Sequence, residues 1–157
     1  MLFRSPATAL RLQGFRQGLN EAGRRLRAGM VVTAASTPGA GYDAARQLLD
    51  QPRAGRPTAI FCFNDRMAMG TYRAAREAGM AIPHDLSVVG FDNQEIVAEA
   101  LSPALTTLAL PYYEMGAVAV DILVAELKGE PLRTARQMAM TSTVVRRESI
   151  RRLGVSP

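Results

Sequence analysis

Apolar positions along this chain fall into short continuous runs and longer stretches of helical period. Thr58 to Phe63 (TAIFCF) is apolar, β-branched and aromatic, the pattern of a buried strand. Asn64-Asp65 follow at once, and Asp65 suits the N-cap of a helix running to Ala78. Gly79 stands just past that helix's end, and Pro83 forbids its continuation. Leu86 to Phe91 is a second apolar run, again closed by an acid and an amide, Asp92-Asn93. The pattern predicts a β-α-β unit whose strands are parallel neighbours, both ending at one edge of the sheet. In open α/β sheets that carboxyl edge is where ligands bind.

Upstream, Met1 to Phe3 has the character of a strand stub, and Ser5 can cap a helix to about Gly23. Leu12, Phe15, Leu19 and Ala22 follow the helical period, so one face is predicted to pack on a sheet. Arg11 sits near that helix's N-terminal end, against the helix dipole. It is either a functional cation or a solvated surface arginine. Met30 to Ala34 predicts a short strand, Ser36 to Gly41 a loop, and Tyr42 to Asp50 a helix. The helix after Asp65 is apolar around most of its circumference, through Met67, Ala68, Met69, Tyr72, Ala74, Ala75 and Ala78. A second apolar face of that kind predicts a subunit contact.

Downstream, Thr106 to Leu110 predicts a strand, and Pro111 opens a helix to Lys128 that Gly129 ends. Its predicted core face is Met115, Val118, Ala119, Ile122, Leu123 and Leu127. Gln137 to Glu148 alternates loosely and predicts one extended strand, with a frayed Arg-rich tail from Arg151.

The 157 residues suffice for one domain with its own core, and 48% hydrophobic with 21% charged content is that of a globular chain. No apolar stretch approaches the ~20 residues of a membrane span, and no secretion signal is evident, so the expected location is cytoplasmic. The net charge of +5 suggests nucleic acid, but its distribution does not. Residues 1–56 carry +6, residues 57–145 carry −4 and the last twelve +3, with no basic stripe interleaved with aromatics. Cys62, the single cysteine, reads as a buried apolar thiol.

With one histidine, His84, and one cysteine, there is no metal cluster and no histidine-supported nucleophile, so neither an enzyme nor a cofactor is expected. Asp65 and Asp92 could do acid-base work as a carboxylate pair, but each also has a structural place at a strand end. Gly39-Ala40-Gly41-Tyr42-Asp43-Ala44 fits the dinucleotide-binding fingerprint, with Asp65 about twenty residues on where an acid would hold a ribose hydroxyl. Four residues including Pro38 separate the preceding strand from the first glycine, and bulky Tyr42 would stand beside the phosphates. Such short motifs match falsely at a high rate.

The stretch PTAIFCFNDRMAMGTYRAAREAGMAIPHDLSVVGFDN, then SPALTTLALP, then VVRRESI, resembles the effector-binding domain of the lactose-repressor (LacI) and purine-repressor family of transcription regulators. RLQGF at Arg11 to Phe15 and GYDAARQLL from Gly41 are similar to the same family in the same order. The resemblance implies an α/β fold of the type I periplasmic-binding-protein-like kind, a parallel sheet flanked by helices, with the second subdomain incomplete. It implies that residues 1–110 form the C-terminal subdomain, 111–136 a segment crossing into the other subdomain, and 137–157 a returning strand and tail.

By the same resemblance, Arg11 clamps a small-molecule effector, Asp92 accepts hydrogen bonds from it, Asn64 makes a polar contact and Tyr112 places an aromatic against it. A sugar is the implied effector, and paired amide, carboxylate and guanidinium groups suit polyols. Ser36 stands where relatives often carry a stacking aromatic, and Leu110 where glutamine is frequent. Met67, Met69, Tyr72, Ile96 and Leu101 fall on the implied homodimer face. The DNA-binding headpiece is absent from this sequence, so operator DNA is reached only through a segment outside it. Two other readings stay open, a solute receptor of the same fold used in transport and a dinucleotide-binding enzyme built on the glycine loop.

Overall fold

The computed structural model describes residues 6–129 and 138–152. Four strands form one sheet in the order β1 (Ala59–Phe61), β2 (Ser87–Asp92), β3 (Thr106–Ala109) and β4 (Thr143–Val145). The first three run parallel, with Ile60 opposite Val88 and Val89 opposite Thr106, whereas β4 is antiparallel to β3. The predicted β-α-β unit is therefore present, with helix α3 (Asp65–Glu77) as its crossover. It is capped by Asn64, not Asp65: the Asn64 Oδ1 accepts the Met67 N–H at 2.9 Å, and Asp65 becomes the first helical residue. Gly79 follows the helix in the left-handed region at φ +67°, which spares a side chain there the strain of that conformation.

Alternation along the strands gives the sheet two faces. Val88 and Cys62 point into a core with Leu49, Ala68, Tyr72, Ala75, Leu86 and Leu105, beneath α3 and helix α2 (Pro38–Leu49). The opposite face carries Phe61 and Phe91, the former stacked on Phe15 of helix α1 (Pro6–Glu21) at 5.5 Å between ring centroids. That face is thinly covered, so Leu12, Phe15 and Leu19 reach only half-burial and Ala22 stays exposed.

Helix α2 begins at Pro38, not Tyr42, with Thr37 as N-cap accepting the Ala40 N–H through its Oγ1. Proline at the first helical position needs no donor and already has helical φ, which explains the earlier start. The fingerprint glycines consequently lie inside a helix and form no phosphate-binding loop. Gly41 has another use. A Cβ there would collide with the Met67 backbone, and a Cβ on Gly70 would collide with the backbone of Pro38, Gly41 and Tyr42. The two helices cross backbone against backbone. This contact absorbs one apolar side of α3 and the sheet absorbs the other, so its double-sided apolarity is satisfied largely within the chain.

Other expectations are corrected. Residues 30–34 form no strand, and β1 has no second neighbour among the described residues. The predicted strand from 137 to 148 contracts to Thr143–Val145, and Gln137 lies outside the described residues, as do Met1 to Ser5. Helix α5 (Tyr112–Lys128) forms, but it buries none of its residues, and Leu123 and Leu127 are 62% and 87% exposed. After Pro111 the chain leaves the sheet, and no described element covers the predicted core face.

The α2–α3 crossing makes a direct prediction. Gly70→Ala should lower stability by about 1–3 kcal/mol, the usual cost of overpacking a fitted interior. Urea titration measures it, and an unchanged midpoint would show that the helices have room to separate.

Candidate functional site

Parallel pairing brings the ends of β1, β2 and β3 to one edge, and the side chains singled out from sequence meet there. Arg11, on the first turns of α1, donates through Nη1 to the Phe63 carbonyl oxygen at 2.6 Å. Its Nη2 lies 3.6 Å from the Asp92 Oδ1. The guanidinium carbon sits 3.7 Å from the centroid of the Phe91 ring and 4.2 Å from that of Phe63. An arginine over aromatic faces gains cation–π attraction and keeps its planar fork oriented. Sequence reasoning left Arg11 between solvated and functional; it is mostly buried, with 19% of its side chain exposed.

Burial lowers the Arg11 pKa more than Asp92 raises it, and burial likewise lifts the Asp92 carboxyl above the ordinary range despite Arg11. Each charge has lost water faster than it has gained a partner. Such a half-satisfied pair at a sheet edge has donor and acceptor capacity left for a polar ligand.

Asp92 also has unusual backbone. Its φ is +101°, and Asn93 follows at +50°. Asparagine tolerates the left-handed region, but an aspartate at this φ stores strain, of order 1–3 kcal/mol. Beside these residues lies a groove of about 460 Å³ lined by Asp92, Asn93, Leu110, Tyr112 and Glu114 among others. Tyr112 is half-exposed at its wall, and its hydroxyl pKa is raised, first by burial and then by Asp92.

The structure thus gathers Arg11, Asp92 and Tyr112. Asn64 stands close in sequence to Phe63, but its carbonyl oxygen is committed to the α3 cap, which leaves its amide nitrogen to offer. Ser36 is exposed in the loop before α2 and makes no hydrogen bond to the others. Of the residues assigned to a subunit face, Met67 and Tyr72 are buried, the Tyr72 hydroxyl donating to the Pro103 carbonyl at 2.9 Å. Leu101 packs against the core, while Met69 and Ile96 are 39% and 87% exposed.

Sequence reasoning missed several residues here. Phe63 and Phe91 grip Arg11, and their only signal was membership of apolar strands. Asp65 is wholly buried, accepting the Thr107 hydroxyl at 2.6 Å and the Gln94 N–H at 2.7 Å. It therefore has no oxygen left over for a ribose. Arg147 donates through Nη1 to Asn93 Oδ1 at 3.0 Å and to the Leu105 carbonyl at 3.1 Å, and through Nη2 to Glu99 at 3.3 Å. Cys62 sits beneath, its thiol pushed up to about 12 by burial, and is unreactive at neutral pH. No helix among the described residues is long and apolar enough to cross a membrane.

Against known proteins, residues 2–150 match the family described as periplasmic binding protein-like domain. The ribose operon repressor of Escherichia coli (strain K12) is 36% identical over 148 residues, which is 94% of this chain and 43% of that protein. A LacI-family regulatory protein from Chloroflexus aggregans superposes with a TM-score of 0.84 at 32% identity, over 94% of this chain and 52% of the other. A LacI-family regulator from Enterococcus faecium with bound ribose gives 0.76 at 28% identity, over 93% and 52%. The chain belongs to the periplasmic binding protein-like family, and within it to the LacI-family regulators, as part of their effector domain. It spans roughly two-fifths of the length of the curated relative and half that of the solved structures.

The buried Asp65 carboxyl has its pKa raised, chiefly by desolvation. An acid in that state holds its proton more tightly folded than unfolded, so its ionisation costs stability as pH rises from the ordinary carboxylate range through the raised value. Relative to Asp65→Asn, the wild type should gain stability as pH falls from about 7 to about 4. Urea titrations of both proteins at the two pH values measure this, and a pH-independent difference would refute it.

Proposed function

We propose that this chain is the effector-sensing and dimerising portion of a LacI-family transcriptional regulator, a repressor, and that its effector is a sugar. The observation that carries the reading is the Arg11–Asp92 pair at the tips of the parallel strands, held beside an open groove walled by Tyr112. A guanidinium and a carboxylate side by side donate to and accept from adjacent hydroxyls of a polyol, and an aromatic edge covers its C–H face. Two relatives support the sugar class, one named for the ribose operon and one solved with ribose bound. Residues 111–136 serve in this reading as the passage toward a second subdomain, in keeping with the exposed apolar face of α5. Operator DNA is contacted by a headpiece outside this sequence.

Ribose at about 100 times its dissociation constant should stabilise the intact regulator by ~2.7 kcal/mol, read as a rise in melting temperature. Arg11→Ala and Asp92→Ala should each abolish the rise. Persistence of the rise in both variants would remove the proposed site.

A second copy of the chain is the proposed partner, through the exposed apolar residues Met69 of α3 and Ile96 of α4 (Glu95–Ala98), two helices in contact with each other. Sedimentation should show a dimer, and Met69→Glu with Ile96→Glu should yield a folded monomer. A monomeric wild type would end this part of the reading. Tyr72 is unsuitable for the test, because its burial makes any charge there a folding defect.

A further inference from the structure

We propose that the buried carboxylate of Asp65, together with Arg147, is a positioning device that holds Asp92 in its left-handed backbone conformation facing Arg11. The inference rests on the effector reading for its purpose, but its geometry stands alone. Asp92 and Asn93 are consecutive non-glycine residues at positive φ, and the chain does not keep such a pair without support from outside.

Support comes from two sides. Below the loop, one Asp65 oxygen accepts the Gln94 N–H and the other accepts the Thr107 hydroxyl. Thr107 Oγ1 in turn faces the Asn93 N–H at 3.4 Å. A Cβ on Gly90 would strike Asp65 Oδ1, so β2 lies directly against the carboxylate just before the bend. Beside the loop, Arg147 holds Asn93 Oδ1 while its other bonds go to the Leu105 carbonyl and Glu99. The backbone on both sides of Asp92 is thus pinned, by β2 pairing before it and by residues 93 and 94 after it.

An N-cap would explain an acid near a helix start, yet Asn64 already caps α3, and both Asp65 oxygens bind elements outside that helix. A core acid that only satisfied its own helix would leave residues 93 and 94 free.

Backbone NMR on the 157-residue chain tests the proposal without any ligand. In Asp65→Asn, Gln94 amide exchange should accelerate about tenfold or more, with the β2 amides before Asp92 unchanged, and the Asp92 HN–Hα coupling should leave its wild-type value. Thr107→Val should reproduce the effect in part and Thr107→Ser should restore it, which keeps the question answerable if Asp65→Asn fails to fold. Wild-type exchange and coupling in both Asp65→Asn and Thr107→Val would overturn the proposal, as would an identical loss in Thr107→Ser. D-ribose titration of the intact regulator, as wild type and as Thr107→Val, is read separately. Weaker binding at an unchanged melting temperature of the ligand-free protein supports the positioning role, whereas equal binding overturns its functional purpose. A wild type indifferent to D-ribose counts against the sugar reading, and the exchange and coupling still decide what Asp65 does.

Discussion

A carboxylate wholly out of water joins three elements that are far apart in sequence. Asp65 begins α3, its partner Thr107 lies in β3, and Gln94 stands two residues beyond the end of β2. Burying an acid is unfavourable by several kcal/mol unless its lone pairs are met, so this arrangement is stable only when all three elements are in register. Shifting β3 by one residue would turn Thr107 to the opposite face and strip the acid of its hydroxyl donor. The parallel sheet, the loop after β2 and the first turn of the crossover helix are in this way a single constraint.

Above that constraint the balance of forces is different. Arg11 and Asp92 are paired at 3.6 Å with most of each side chain out of solvent, and for both groups desolvation outweighs the partner. The rings of Phe63 and Phe91 make up part of the deficit by lying within cation–π distance of the guanidinium. An ion pair optimised for stability would be closer and bidentate. The lower half of the sheet edge has its hydrogen bonds met, while its outer half retains unspent polar capacity.

Much of this was legible from residues. The β-α-β unit could be read because two apolar runs bracket a well-punctuated helix, with Gly79 and Pro83 as stop signals. The RLQGF and GFDN segments pointed to Arg11 and Asp92, although only the family resemblance linked them, since nothing local tells that residues 11 and 92 approach. Periodicity misled for α5 because an apolar face reports that a partner is wanted, not that one is present. On α3 one apolar side is used within the chain, by a helix that crosses at Gly41 and Gly70, while Met69 is left exposed. Asp65 was read as the cap itself, an ordinary explanation that concealed its bonds to Gln94 and Thr107. Arg147 was hidden by composition, as one arginine among 18, within a segment read only as an extended strand.

The segment just after β4 has a temporal consequence. Ser149 donates to the Val88 carbonyl at 2.6 Å and accepts the Thr106 N–H at 2.8 Å, and its own carbonyl accepts the Val88 N–H. The seam between the bases of β2 and β3 is therefore closed by a residue synthesised some forty positions after β3. A nascent chain emerging from the ribosome must carry that seam open through the whole of α5's translation, leaving the bases of two strands without their closing donor and acceptor in that interval.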